Sequence, residues 1–173
     1  MLYKRKKDID WNREPVRLVL EDGAVVYGFE WGKDDFVYHR LDGPAVEKPC
    51  GTKCWYRNGE LHKDNGPAVE EPNGSKLWYK NGRAHREDGP WYVDEEDGTT
   101  EWRLDGILHR KDGPAIEIPG LIKAWYLDGE LHREDGPAIE PADAPDEWFL
   151  NGKQVSMEDV LRLMDENDPD RKT

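Results

Sequence analysis

The pattern of apolar and polar residues repeats with a fixed period along most of this chain. Residues 55–70 read WYRNGELHKDNGPAVE, and close copies begin at Trp78, Trp102 and Trp125. Together with Trp148, the tryptophans that open the copies are 23, 24, 23 and 23 residues apart. Self-similarity at this period is typical of repeat arrays, in which each unit buries its apolar face against its neighbours.

Each copy holds two short strand patterns. One is centred on the Trp-Tyr pair, as in residues 76–80, and the other is Pro-Ala-Val/Ile-Glu, as in residues 67–70. An Asn-Gly or Asp-Gly pair follows each Trp pattern and supplies the positive φ that a tight turn needs. The Leu-His-Arg segment between the patterns fits either a short third strand or an ordered loop. Ahead of the copies, the apolar runs 16–20 and 24–30 predict a further hairpin.

Strand alternation predicts which side chains share a face. Successive side chains of a strand point to opposite faces, so Trp78 lies on one face, and Leu77 and Tyr79 lie on the other. We expect the stacked repeats to bury a column of tryptophans. We expect a second buried column, formed by Val46, Val69, Ile116 and Ile139.

The segment after the last repeat has a helical pattern. Ser156 and Asp159 have the spacing of a capping box. Apolar residues then recur at helical intervals, which predicts an amphipathic helix over residues 157–166 that covers the exposed last strand. These apolar residues are Met157, Val160, Leu161 and Met164.

The predicted fold is all-β, a repeat array of antiparallel β-hairpins of about 23 residues each, with a C-terminal capping helix. We divide the chain into a flexible basic tail (1–10), an N-terminal hairpin cap (11–35), the hairpin repeats (36–152), and the capping helix with an acidic tail (153–173).

Composition alone gives a different impression. A hydrophobic content of 36% with a net charge of −13 is the profile of a disordered chain. The 8 tryptophans and 7 tyrosines change that interpretation, because a disordered chain has no reason to space its aromatic residues periodically. The negative charge argues against direct binding to nucleic acid or to an anionic membrane surface. The sequence has no membrane-spanning run and no secretory signal, so we expect a cytoplasmic protein.

The repeat unit resembles a known family. An aromatic strand, a Lys/Arg-Asn-Gly turn, a histidine and a glycine before the second strand are similar to the MORN repeat, and closer still to bacterial and phage MORN-like proteins of the antitoxin type, whose units read WYxNGxLHRxDGPA. The resemblance covers about residues 36–152. It implies a β-hairpin fold and a binding or scaffold role toward proteins, sometimes lipids, which for some members means neutralising a toxin. The chain lacks the extra glycines of the eukaryotic unit, and this argues against lipid binding.

A His-Arg-x-Asp-Gly cluster recurs in the copies. A histidine oriented by an aspartate suits a general base, and the same residue types suit a metal. Equivalent positions of successive repeats are about 10 Å apart, too far to share one ion. We therefore predict no catalytic residue, no metal and no cofactor, and a structural role in which Asp caps the turn and Arg or His stacks on an aromatic ring. The histidines are His39, His62, His85, His109 and His132, and the copy at His62 has Lys63 and Asn65 in place of Arg and Asp.

Two cysteines, Cys50 and Cys54, flank one turn. A zinc site would need two more ligands, and no second cysteine pair is present. A regulatory disulfide is one alternative. Cys54 occupies the position of Leu77 and Ala124, so we expect a small buried residue there.

One copy departs from the consensus at the second strand. Trp91 and Tyr92 stand where the other copies have Ala-Val or Ala-Ile, and a one-residue insertion follows in a run of four acidic residues. Aromatic residues beside charge are typical of interaction hot spots. We predict a partner-binding site in which Tyr92 packs inward and Trp91 protrudes. The acidic residues of this site are Asp94, Glu95, Glu96 and Asp97.

These features favour a non-enzymatic protein that occludes or neutralises a protein partner with a basic surface, such as a host defence factor or a toxin. This would make it an inhibitor in an anti-defence or antitoxin-like setting, with no direct nucleic-acid or membrane binding. One alternative is an acidic decoy that mimics nucleic acid. Another is a nucleotide-binding sponge or a hydrolase that uses the repeated His-Arg pairs. The sequence leaves the partner and the oligomeric state open.

Overall fold

The computed structural model describes residues 9–31 and 35–167. Within them, regular structure consists of short antiparallel strands and one helix near the C-terminus, which confirms the predicted class of hairpin repeats with a terminal helix. Residues 1–8 of the predicted basic tail and 168–173 of the predicted acidic tail lie outside the described residues. The chain divides into two compact units, Met1–Ala84 and His85–Thr173.

The first unit contains eleven described strands. In chain order they are β1 (Val16–Val19), β2 (Val25–Trp31), β3 (Asp35–Tyr38), β4 (Val46–Glu47), β5 (Lys53–Cys54), β6 (Tyr56–Arg57), β7 (Glu60–Leu61), β8 (Val69–Glu70), β9 (Lys76–Leu77), β10 (Tyr79–Lys80) and β11 (Arg83–Ala84).

The second unit contains eleven more strands and the helix. They are β12 (Tyr92–Val93), β13 (Thr100–Glu101), β14 (Arg103–Leu104), β15 (Ile107–Leu108), β16 (Ile116–Ile118), β17 (Ile122–Ala124), β18 (Tyr126–Leu127), β19 (Glu130–Leu131), β20 (Ile139–Pro141), β21 (Phe149–Leu150), β22 (Lys153–Gln154) and α1 (Met157–Asn167).

Each unit has one antiparallel main sheet and several separate two-stranded hairpins. In the first unit β2 pairs with β1, β3 and β4, and the sheet continues through β5, β8 and β9. The β1–β2 pairing confirms the predicted first hairpin. In the second unit the sheet order is β12, β13, β16, β17, β20. The separate hairpins are β6–β7, β10–β11, β14–β15, β18–β19 and β21–β22.

The prediction of one continuous strand centred on each Trp-Tyr pair is wrong, because the structure has two short strands there. Lys76 and Leu77 pair with β8 in the main sheet, whereas Tyr79 and Lys80 pair with β11 in a separate hairpin. Trp78 lies between the two strands and belongs to neither. The full copies at Trp55, Trp102 and Trp125 are split in the same way. The chain therefore leaves the main sheet at each tryptophan.

Backbone hydrogen bonds of the tryptophan stabilise the point at which the chain leaves the main sheet. In the copy at Trp55, its N–H donates to the carbonyl of Ala68 (2.8 Å), and its carbonyl accepts from the N–H of His62 (3.0 Å). The open question about the Leu-His-Arg segment is also answered. Leu61 ends the third strand, β7, and His62 follows it outside the strand.

The hairpin turns follow the prediction. Asn58 and Gly59 both have positive φ, 55° and 80°, which is the signature of a type I′ turn. The same pair of left-handed residues closes every separate hairpin, at residues 81–82, 105–106, 128–129 and 151–152.

The core differs from the two predicted columns. The repeats bury the alanines of the Pro-Ala motif most deeply, and four of them are 0% exposed: Ala45, Ala68, Ala115 and Ala138. Val46 is buried, but Val69, Ile116 and Ile139 are half-buried. The tryptophans that open the copies are also half-buried. A cationic side chain stacks on three of their rings: Lys63 on Trp55, Arg110 on Trp102 and Arg133 on Trp125.

Separate apolar clusters support the first unit. Ile9, at the end of the predicted tail, is buried against Phe29 and Val37. Val26, Val46 and Cys54 form a second cluster beside the half-buried Tyr38, Tyr56 and Leu61.

The helix α1 begins as predicted and packs differently. Ser156 Oγ accepts from the backbone N–H of Asp159 (3.2 Å), and an Asp159 carboxylate oxygen accepts from the N–H of Ser156 (3.3 Å), which is a reciprocal capping box. Val160 is fully buried, whereas Met157, Leu161 and Met164 are exposed. The apolar face that we expected to cover the last strand is therefore only partly used for packing.

Candidate functional site

The histidine of each repeat binds the hairpin turn of the next repeat. His62 Nδ1 accepts a hydrogen bond from the backbone N–H of Asn81 (3.1 Å). The next residue, Gly82, donates its N–H to the carbonyl of Leu61 (2.9 Å). Four other histidines repeat the contact between Nδ1 and the turn N–H at 3.0–3.2 Å: His39 with Asn58, His85 with Asp105, His109 with Asp128, and His132 with Asn151.

At His39 this contact requires an unprotonated Nδ1, because an imidazole nitrogen accepts a hydrogen bond only when it carries no proton. His39 is 3% exposed and lies against the rings of Trp11 and Phe29. Burial lowers the pKa of His39 below its ordinary value of 6.5. The folded structure therefore favours neutral His39.

The other ring nitrogen faces carboxylates in several copies. His62 Nε2 lies 2.8 Å from Asp64 Oδ1 and 3.0 Å from a guanidinium nitrogen of Arg57, which also binds Asp64. The hydrogen bonds from Arg57 and then His62 lower the pKa of Asp64 to about 2. His85 and His132 face Glu87 and Glu134 at 3.4 and 3.6 Å.

The arginine of the motif contacts an aromatic ring, carboxylates and a backbone carbonyl of its own repeat. The Arg133 guanidinium stacks on the Trp125 ring, 3.9 Å from the centroid. Its Nε donates to Asp135 (2.7 Å), and a terminal nitrogen donates to the carbonyl of Pro137 (3.1 Å) and to Glu140 (2.6 Å). Arg110 stacks on Trp102 in the same manner, and Lys63 takes this place on Trp55. The expectation that the cation stacks on an aromatic ring is confirmed.

The glycine of the motif makes room for that stack. A Cβ added at Gly136 would lie 2.7 Å from Cζ of Arg133. The same close approach occurs at Gly43, Gly89 and Gly113, where the distance to the arginine Cζ is 2.5–2.8 Å. In three copies the aspartate of the motif binds the arginine instead of capping the turn: Arg40–Asp42, Arg86–Asp88 and Arg133–Asp135.

Shallow clefts lie between successive loops of this kind. One of them, about 770 Å³, lies in the second unit between the loop at Arg110 and the loop at His132, and Trp125 and Leu127 also line it. Its arginines are already engaged with the carbonyls of Pro114 and Pro137. Among the described residues, no group of three or more His, Cys, Asp or Glu side chains is arranged to hold a metal ion.

The two cysteines are free thiols. Cys54 is buried, as expected from its place in the repeat, and burial raises the pKa of its thiol. Cys50 is exposed, and its hydrogen bond with the Thr52 hydroxyl (3.2 Å) lowers the pKa of the Cys50 thiol.

The predicted partner site lies in the second unit. Trp91 and Tyr92 are both half-buried, so the expectation that Trp91 protrudes while Tyr92 packs inward is wrong. The reason is that Trp91 takes the place of the alanines, which face the interior in the other copies. The centroids of the Trp91 and Tyr92 rings are 5.9 Å apart. The Arg103 guanidinium lies 5.8 Å from the centroid of the Trp91 ring.

The acidic run forms an ordered loop beside these rings. Tyr92 donates its hydroxyl hydrogen to Asp94 (2.7 Å), and Asp94 also accepts the backbone N–H of Glu96 (2.9 Å). Asp97 accepts the N–H of Thr99 (2.8 Å). The loop joins β12 to β13 and holds the inserted residue. Its exposed carboxylates are those of Glu95, Glu96 and Asp97.

Two further residues depart from the repeat here, and the sequence analysis missed them. Glu101 stands where other copies have Cys54, Leu77 and Ala124, and Arg103 stands where they have tyrosine. These two side chains form an ion pair, with Glu101 directly opposite Tyr92 in the sheet. Alignment of the copies position by position would have revealed both residues.

Comparison with protein-family models, with curated proteins and with solved structures found no match to this chain. Within the described residues, no helix is both long and apolar enough to cross a membrane.

Proposed function

We propose that this chain is a non-enzymatic protein-binding module that occludes or neutralises a protein partner, such as a host defence factor or a toxin. One observation carries the proposal: the departures from the repeat are concentrated in one place, around β12 and β13. Trp91, Tyr92, Glu101 and Arg103 replace consensus residues there, and the longer acidic loop adjoins them. A concentrated departure from a strict pattern indicates a local demand other than stacking.

The chemistry of this surface favours a basic partner. Glu95, Glu96 and Asp97 present exposed carboxylates on a loop that is held by hydrogen bonds from Tyr92 and the loop backbone. An ordered loop loses less conformational entropy on binding than a flexible one. The negative charge would speed association with a positive surface. The half-buried Trp91 and Tyr92 would supply aromatic contact area at the edge of the charged loop.

The contacts of the His-Arg-x-Asp-Gly motif support the non-enzymatic part of the proposal. The same ring nitrogen binds the same turn in five copies, and the arginine stack recurs with it. Contacts that recur from repeat to repeat are explained by a role in stabilising the repeats. We also infer that the repeat is of the MORN-like type and that the protein acts in the cytoplasm. The WYxNGxLHRxDGPA unit supports the first inference, and the two free thiols, Cys50 and Cys54, which suit a reducing compartment, support the second.

The experiment is affinity capture with a variant that restores the consensus. The full chain and the double variant Trp91→Ala/Tyr92→Val are immobilised, exposed to host cytosol, and compared by mass spectrometry. We expect a partner that is captured by the native chain and lost by the variant. The variant carries the Ala-Val pair of the other copies, so its fold should be retained, and circular dichroism checks this.

A second variant tests the charged loop. Glu95→Gln/Glu96→Gln/Asp97→Asn should slow association with the captured partner, and the difference should shrink in high salt. The matched control is Asp143→Asn/Asp146→Asn, which removes two exposed carboxylates from another loop of the same unit and should change nothing. Equal capture by the native chain and the consensus variant would contradict the proposal. A partner released by DNA would favour the nucleic-acid mimic, and turnover of a nucleotide that is lost in His109→Ala would favour the enzyme.

A further inference from the structure

The helix α1 presents an apolar stripe that its own unit does not cover. Val160 is fully buried and Leu163 is half-buried, and these two anchor the helix. Met157, Leu161 and Met164 are 49%, 45% and 41% exposed. With 3.6 residues per turn, these three side chains fall within an arc of about 60° beside the anchoring face. Large apolar side chains that are exposed together on one helix indicate an interaction surface.

The spacing within the stripe is that of a coiled-coil seam. The steps from Met157 to Leu161 and from Leu161 to Met164 are four and three residues, which is the d-a-d order of a heptad. The next position after each d residue is the e position, and it is acidic both times: Glu158 and Asp165. These two exposed carboxylates border the stripe on the side away from Val160, about 10 Å apart along the helix.

We propose that this stripe docks an amphipathic helix of a partner protein whose apolar seam is flanked by lysine or arginine residues seven positions apart. Residues at e and g positions pair across a coiled coil and select partners by charge, so acidic e positions call for basic residues on the partner. A second copy of this chain would bring the same carboxylates, and an anionic membrane surface would meet four acidic residues of α1 against Arg162 alone. Charge therefore favours a basic helix over both of these occupants.

This surface is independent of the proposed site around Trp91. It uses different residues and a different element, and it stands whether or not the acidic loop binds a partner. The seam has one and a half heptads, so a single peptide should bind weakly, with a Kd of about 10–100 µM, and stronger binding would need additional contacts.

The test uses the full ¹⁵N-labelled chain and a synthetic peptide of three heptads with Leu at a and d, Lys at e and g, and Ala elsewhere. We expect chemical-shift changes concentrated in α1. Leu161→Gln should weaken peptide binding at least about tenfold, which is about 1.4 kcal/mol. The matched control is Leu121→Gln, because Leu121 is 57% exposed in the same unit and lies on a loop far from the seam in sequence. It should leave binding unchanged.

Charge is tested separately. Glu158→Gln/Asp165→Asn should weaken binding of the Lys peptide, and a peptide with Glu at e and g should not bind the native chain. Shift changes spread over the acidic surface, with the same affinity for Leu161→Gln, would overturn the proposal. Sedimentation that shows a dimer of this chain dissociated by Leu161→Gln would also overturn it in favour of a second copy, and binding of α1 to anionic vesicles would do so in favour of a membrane.

Discussion

His62 and Asn81 are nineteen residues apart, and the backbone N–H of Asn81 donates to Nδ1 of His62 at 3.1 Å. The histidine ring therefore connects the end of one hairpin to the turn of the next. We predict that His62→Ala lowers the free energy of unfolding by about 1–3 kcal/mol, because the turn N–H loses its acceptor and the ring is 93% buried, at 7% exposure. Urea denaturation followed by circular dichroism measures this change.

Glu60→Ala is the control for this variant, because Glu60 is exposed on the same hairpin. It should change the stability by less than about 0.5 kcal/mol. A His62→Ala protein as stable as the control would show that the turn is held without the ring.

Acid should weaken the first unit through His39. Burial lowers the pKa of His39 below 6.5, so the folded state favours its neutral form. The stability that neutral His39 contributes is complete above pH 6.5, declines as the pH falls from 6.5 through the lowered folded pKa, and shows no further loss below it. Urea midpoints measured across this range should fall in the native chain and fall less in His39→Gln. A parallel decline in the two proteins would assign the effect to other groups.

The glycine in each His-Arg-x-Asp-Gly loop protects the arginine stack. Gly136→Ala places a methyl group 2.7 Å from Arg133 Cζ and should displace the guanidinium from Trp125. We expect a loss of about 0.5–2 kcal/mol in stability, the range for a cation–π contact together with its neighbouring hydrogen bonds.

A double-mutant cycle checks this cause. In an Arg133→Ala background the same Gly136→Ala change meets no guanidinium and should be neutral or slightly stabilising. If Gly136→Ala costs as much without the arginine as with it, the glycine serves the backbone and not the stack.

The ion pair Glu101–Arg103 replaces apolar pairs that other repeats use, such as Leu77 and Tyr79. Its side chains are 21% and 31% exposed, so neither charge is fully solvated. Arg103→Tyr alone should cost about 1–3 kcal/mol, because it leaves Glu101 half-buried without its partner. The double variant Glu101→Leu/Arg103→Tyr should recover this loss and exceed the native stability by about 1 kcal/mol or more.

Thermal denaturation of the two variants and the native chain decides the point. A double variant that is no more stable than Arg103→Tyr would mean that the surrounding repeat has adapted to the ion pair. A double variant more stable than the native chain would show that the ion pair stabilises the fold less than the apolar pair does. This is expected of residues that are retained for binding.

Local chemistry explains what the sequence could predict. Asn58-Gly59 and its equivalents specify a type I′ turn through their own φ preferences, and Ser156 with Asp159 specifies a helix start through contacts three residues apart. These signals depend only on residues close together in the sequence, so they can be recognised without a structure.

Long-range choices explain what it could not. Alternation gives the face of each side chain in a strand, but it does not reveal that Leu77 and Tyr79 pair with different partners, so the break at Trp78 was missed. The burial of Trp91 was missed for a related reason. Alanine occurs both in protein interiors and on surfaces, so the sequence pattern did not show that the alanines of the Pro-Ala motif face the interior.

The exit of the chain at each tryptophan has a consequence for how these molecules behave when crowded. From β4 onward, no described strand is longer than three residues. Amyloid-like association needs about six consecutive residues of extended chain, and none of these strands supplies them. In the second unit the last sheet strand, β20, ends in Pro141, which has no N–H to offer, and Ile139 already pairs with Glu147. A chain that repeats one apolar unit several times thereby avoids templating its own aggregation.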